Sequence, residues 1–340
     1  MIQIYTILVD SLRLLKAKKL FWIVLSITGM VGFLYASIGF NETGMSVGFG
    51  LQKIENPVVV EGSDFAKMFY LLLFTSFIND WWFGFLALAL ALIASCSVVP
   101  EMMKEGSIDV MVSKPLSRLK LFVTKYVGVL FFMAVPVLLL CVICFLSMGI
   151  RVGVWKWDLF LAVPLLMFVF SLIYCVAVLA GVLWKSSLFA LLSAMVFWSM
   201  CYVMHLAESL AYSSYYLMPK VGMTMDLTRG TTEMTGEERE VTEEGRRNYR
   251  LVRAAGAPLP KIRKATLLLK RLVDFDEELG PMAGVGLISL MAGDPPQGRD
   301  LEVSNETEER MSTGYILWSS AGFELVVLSG AAFVFCRRDY

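Results

Sequence analysis

Long apolar runs separated by short charged stretches dominate the pattern of this chain. Runs at 20–40, 81–99, 121–149, 159–183, 187–210 and 314–335 each come near or exceed the roughly 20 apolar residues that cross a bilayer as a helix. They predict six transmembrane helices. Ahead of them, Ile4, Ile7, Leu8, Leu12 and Leu15 recur at helical spacing with Asp10, Arg13 and Lys16 opposite. Residues 1–19 therefore predict an amphipathic helix lying on the membrane surface. The stretch 65–99 is too long for one upright helix, and Asn79-Asp80-Trp81-Trp82 interrupts it. The expected solution is an interfacial or re-entrant helix over 65–78 followed by a span from 81, with one strongly tilted helix as the alternative.

Composition agrees with lipid as the solvent. Hydrophobic residues make up 57% of the 340 and charged residues only 18%, with a mean hydropathy of +0.66, whereas soluble domains run near 45–50% apolar and about 25% charged. The expected fold class is an all-α polytopic membrane protein. A formal net charge of +0 offers no attraction to nucleic acid. The first apolar run has no small-residue cleavage site behind it, so it predicts a retained span and not a signal peptide. All six cysteines fall inside or at the ends of apolar runs, and Cys141-x-x-Cys144 has no basic neighbour to form a thiolate. Packing is their expected role.

Lys and Arg in the short loops set the expected orientation. One side receives Arg13 to Lys19, then Lys104, Lys114, Arg118, Lys120 and Lys125, then Lys185, and finally Arg337 and Arg338. Both termini are thus expected in the cytoplasm, and six spans close the parity. The first loop and the short loop at 151–158 take the opposite side. So does the insertion at 211–313, for which long translocated segments escape the charge rule. Mixed charge over 233–253 and 261–278, with Leu267, Leu268, Leu269, Leu272 and Val273 near helical spacing, predicts a small, mainly helical domain; 293–310 reads as loop. The organisation is then an interfacial helix (1–19), five spans (20–210), the insertion (211–313), and a sixth span with its tail (314–340).

Candidate chemistry is sparse. The chain has no glycine-rich phosphate loop ending in Gly-Lys-Ser/Thr and no soluble stretch long enough for a nucleotide fold, so ATP hydrolysis would have to come from another chain. His205 is the only histidine. Neither a histidine-based triad nor a zinc site is expected, and no catalytic or metal-ligating residue is assigned. The informative polar segment lies at 100–120, where charged and apolar residues alternate, Gly106 permits a break, and Pro115 ends any preceding helix. Such a segment suits a short helix parallel to the membrane that docks on a cytoplasmic partner; a solvated connector is the plainer reading.

The run E-G-S-I-D-V-M-V-S-K-P-L-S-R followed by L-F-V-T-K-Y-V-G-V-L resembles the cytoplasmic loop of ABC-2 type transporter permeases. The N-terminal D-S-L-R before K-K-L-F-W and the C-terminal F-x-x-R-R-D-Y are similar too. What the resemblance implies is a permease subunit in a prokaryotic inner membrane, without a cofactor of its own. It would be paired with a second permease subunit, identical or related, and driven by a separate ATPase subunit that binds ATP and magnesium. It also implies ATPase coupling through Glu101, Gly106, Ser107, Asp109, Lys114, Pro115 and Arg118, and through the N-terminal helix. The enlarged insertion departs from the shorter family members and leaves open an extracytoplasmic protein partner.

Three ionisable residues fall inside apolar runs. Glu324 lies near the middle of the sixth, where a charge costs a few kcal/mol or more unless paired or protonated. His205 and Glu208 share one face near the outer end of the fifth, where an interfacial, structural role is expected. Two rival functions stay open at this stage. One is a non-transporting membrane anchor whose insertion engages an envelope partner. The other is an ion-coupled secondary transporter using Glu324, against which stands the lack of an internal repeat.

Overall fold

The structure is a computed structural model that describes residues 19–55, 60–103, 117–212, 220–226, 231–237, 243–273 and 312–337. The expected helix over 1–19, most of the 100–120 segment and the loop at 293–310 lie outside the described residues. Among the described residues, six helices are long and apolar enough to cross a membrane: Lys19–Ala36, Asp64–Met102, Arg118–Val152, Trp157–Trp184, Ser187–Ala211 and Thr313–Arg337. Their outward faces carry large apolar side chains, with Trp318 80%, Val326 73% and Val196 68% exposed. A surface of that kind is stable against lipid and not against water. The chain is a mainly helical, multi-pass membrane protein.

Helix α1 (Lys19–Ala36) leads into a three-stranded antiparallel sheet of β1 (Gly39–Asn41), β2 (Gly44–Val47) and β3 (Gln52–Glu55), paired in that order. The sequence reading had only a polar loop here. Next, α2 (Asp64–Leu73), capped by Ser63 accepting from the Ala66 N–H, passes without a break into a π-helical segment, Phe74–Leu86, then α3 (Ala87–Ser95) and the short α4 (Val98–Met102). The expected division at Asn79-Asp80 does not occur. The polar pair is absorbed within the helix: Asn79 is buried, and Asp80 pairs at 3.1 Å with Lys270, a residue far downstream. A carboxylate so partnered no longer has to mark a membrane boundary.

Helix α5 (Arg118–Val152) begins where the Ser117 hydroxyl accepts from the Lys120 N–H and stops at Gly153, whose left-handed φ of 73° suits glycine. At 1.5 Å per residue its 35 residues reach about 52 Å, well beyond a hydrocarbon core of about 30 Å, so it tilts or protrudes. A 3-10 turn (Trp157–Leu161) precedes α6 (Ala162–Trp184), and α7 (Ser187–Tyr212) and α10 (Thr313–Arg337) complete the bundle. Among the described residues of the insertion are an antiparallel strand pair, β4 (Lys220–Asp226) with β5 (Thr231–Glu237), and two helices, α8 (Glu243–Gly256) and α9 (Ile262–Leu272). The insertion was expected to be mainly helical; part of the charged stretch at 233–253 is strand instead. Its mixed composition concealed the cross-strand pairing, which depends on a partner strand.

Packing joins these parts. Close to α5, α1 carries Gly32, where a Cβ would stand only 2.9 Å from Ile143 Cδ1, and Phe21 meets Phe132 with ring centroids 4.9 Å apart. The hydroxyls of Tyr35 and Tyr70 each donate to the other's backbone carbonyl, at 3.3 and 3.2 Å, which locks α1 to α2. Helix α6 is the central element, with Leu166, Val169, Phe170, Leu172 and Cys175 fully buried. All six cysteines are free thiols and five are buried, in keeping with packing.

Candidate functional site

Among the described residues, two polar clusters interrupt the apolar bundle. The first forms around Glu324 on α10, which is partly buried against α5 and α6. Tyr126 Oη lies 2.8 Å from Glu324 Oε1, and Ser171 Oγ lies 2.9 Å from Oε2. Each hydroxyl also has a backbone acceptor: the Ser171 carbonyl at 3.1 Å for Tyr126, and the Phe168 carbonyl at 2.7 Å for Ser171. Every hydroxyl has one proton to give. When both point at Glu324, the cluster satisfies a carboxylate. When one turns to its carbonyl, the carboxylic acid can donate in return. The cluster therefore accommodates either protonation state without an orphaned proton donor. Tyr174 stacks on Tyr126 at 5.6 Å, but its own buried hydroxyl has no hydrogen-bond partner among the described residues, so it contributes ring surface there.

The second cluster lies at the far end of the bundle. Helix α9 wedges its apolar face, including Ile262, Ala265, Leu268 and Leu269, against the π segment, α6, α7 and α10. Its cations meet acids from the spans: Lys264 with Glu208 at 2.8 Å and Lys270 with Asp80 at 3.1 Å. The Lys261 N–H donates to Ser320 Oγ at 3.0 Å, and its Nζ donates to the Gly256 carbonyl at 2.6 Å, at the end of α8. Burial pushes the Lys261 amine below its ordinary value of 10.5, with nearby Glu208 opposing. His205 and Glu208 share a cleft with Lys261, Arg263 and Lys264. Glu208 is held in this cleft by its ion pair with Lys264.

The residues proposed from the loop motif are only partly described. Glu101 is exposed on α4, and Arg118 opens α5, where its Nη1 donates to the Cys336 carbonyl at 3.3 Å near the end of α10. Gly106, Ser107, Asp109, Lys114 and Pro115 lie outside the described residues. At the same end of the bundle, Pro100 packs on Gly181 of α6, where a Cβ would stand 3.3 Å from the proline ring. Among the described residues no group of three or more His, Cys, Asp or Glu is placed to hold a metal.

Sequence reasoning singled out Glu324, His205 and Glu208 but missed their partners. Tyr126 and Ser171 gave a faint signal as hydroxyls deep in apolar runs. Lys261, Arg263, Lys264 and Lys270 gave a clearer one, as a basic amphipathic helix following the fifth span. No protein-family model matches this chain, and no curated protein matches it either.

Proposed function

We propose that this chain is the membrane subunit of an ABC-2 type transporter, which couples ATP hydrolysis by a separate nucleotide-binding subunit to export or to force transmission across the membrane. In this reading the end bearing Arg118, Lys185 and Arg337 faces the cytoplasm, both termini are cytoplasmic, and the membrane is the inner membrane of a prokaryote. A second permease subunit, identical or related, completes the complex, and ATP and magnesium belong to the ATPase. The insertion is extracytoplasmic and free to engage an envelope partner.

One observation carries the reading. The described residues on either side of the permease-like motif each bear on a pair of helices. Pro100 bears on Gly181, so α4 is seated on α6 and α7; Arg118 bonds to the Cys336 carbonyl, so the start of α5 is tied to the end of α10. A push delivered at Pro100 and Arg118 would therefore reach four helices at once. The test is to purify the tagged chain from its own cells and identify what accompanies it. An ATPase of separate sequence should copurify, and Asp109→Lys with Gly106→Leu should insert normally yet lose it. Retention of the ATPase at full yield and activity in that variant refutes the assignment of the coupling segment. An ion-coupled transporter remains the second reading because the Tyr126–Glu324–Ser171 cluster accommodates both protonation states. It requires activity that follows a proton or cation gradient without ATP.

A further inference from the structure

The cleft between α7 and the start of α9 holds more positive charge than its carboxylate offsets. Lys261, Arg263 and Lys264 line it with His205 and Glu208. Three cations against one carboxylate leave two positive charges when the imidazole is neutral. Glu208 takes Lys264, and Lys261 spends one of its three N–H donors on the Gly256 carbonyl. Arg263 has no ion pair and no side-chain hydrogen bond among the described residues. Its guanidinium Nη1 lies over the π segment, 3.3 Å from where a Cβ on Gly84 would stand. Gly84 therefore leaves room for a group that no acceptor among the described residues satisfies.

The local backbone adds to the imbalance. All three cations crowd the start of α9, where the helix dipole is already positive, no side chain caps the first turn and no acidic residue falls within it. Helix starts favour negative charge, and this one has gathered positive charge in a half-buried cleft. Glu208 and Gly256 account for Lys264 and for part of Lys261. They do not account for Arg263.

We propose that this cleft is a binding site for an oxyanion, a phosphate ester or carboxylate, held by the Arg263 guanidinium, the remaining donors of Lys261 and the first-turn N–H groups of α9. Guanidinium is suited to such a ligand because its parallel N–H groups match two oxygens. At this end of a membrane bundle the anion has two sources, a phospholipid headgroup or a solute in the aqueous phase. The site is independent of the ATPase reading, since it belongs to this chain alone and its test needs no ATP.

The full-length chain in phosphatidylcholine nanodiscs is titrated with inorganic phosphate while its Tm is followed; in parallel, native mass spectrometry measures retention of phosphatidylglycerol against phosphatidylcholine. A rise in Tm with phosphate identifies a soluble anion, and selective retention of phosphatidylglycerol identifies a headgroup. Lys261→Gln with Arg263→Gln should weaken whichever response occurs by about tenfold or more, while Arg247→Gln on the exposed face of α8 should leave it unchanged. Glu208→Gln removes the competing carboxylate and should tighten binding by about tenfold, a gain that a damaged fold does not produce. No response to either probe overturns the proposal. So does a response that survives the double substitution or fails to strengthen in Glu208→Gln.

Discussion

Replacing Glu324 by leucine should cost this bundle less than removing the two hydroxyls that face it. The reason lies in what each change leaves behind. In Glu324→Leu, Tyr126 still has the Ser171 carbonyl at 3.1 Å and Ser171 still has the Phe168 carbonyl at 2.7 Å, so no donor is orphaned. The loss is then two side-chain hydrogen bonds, worth about 0.6 kcal/mol each on average inside membranes, offset in part by a residue that suits lipid. The net should fall within about 1 kcal/mol of wild type. In Tyr126→Phe with Ser171→Ala, the carboxyl keeps its place against α5 and α6 and loses both hydroxyl partners at 2.8 and 2.9 Å. Leaving a buried polar group unsatisfied costs about 1–3 kcal/mol, to which the lost tyrosine and serine contacts add. Unfolding in mixed micelles, with the single and double variants arranged as a cycle, measures both quantities and the coupling between them. If Glu324→Leu proves as costly as the double hydroxyl variant, the alternative acceptors do not operate, and the account of the cluster fails. Glu324→Gln separates stability from activity: it should fold like wild type, and a loss of the proposed transport in it alone assigns a protonation role.

Glu208→Gln should destabilise the chain more than Lys264→Gln, by roughly 1–2 kcal/mol, because it leaves three neighbouring cations without their carboxylate while the reverse change only lightens the positive excess. Thermal unfolding of the two variants decides the order, and equal losses would contradict it. Lys261 offers a pH test: its folded pKa lies below the unfolded value of 10.5, so the unfolded chain binds more protons, and stability attributable to this group should rise with pH up to that value. In Lys261→Gln that rise should flatten, and an unchanged slope between neutral pH and 10 would show that burial does not disfavour the ammonium.

The membrane character of the chain was legible in the sequence because hydrophobic length is a local property. The apolar runs at 121–149, 159–183 and 187–210 correspond closely to Arg118–Val152, Trp157–Trp184 and Ser187–Ala211. The stretch 65–99 was harder. Asn79 and Asp80 look like a boundary when lipid is the imagined neighbour, and Lys270, which removes the need for one, is nearly two hundred residues away. The strand pair at 220–226 and 231–237 was missed for a related reason, since a strand is stabilised by its partner and not by its own composition.

Among site residues the same division holds. Glu324, His205 and Glu208 stood out because ionisable groups are costly in apolar surroundings wherever the helices go. The sequence by itself thus determined that six helices are apolar enough to seek lipid and which residues would need polar company there. Only the tertiary structure decided what that company is: Tyr126 and Ser171 for Glu324, Lys264 for Glu208, and for Arg263 none among the described residues. Partner identity depends on which helix faces meet, and those contacts join residues up to 198 positions apart, where no local pattern carries the information.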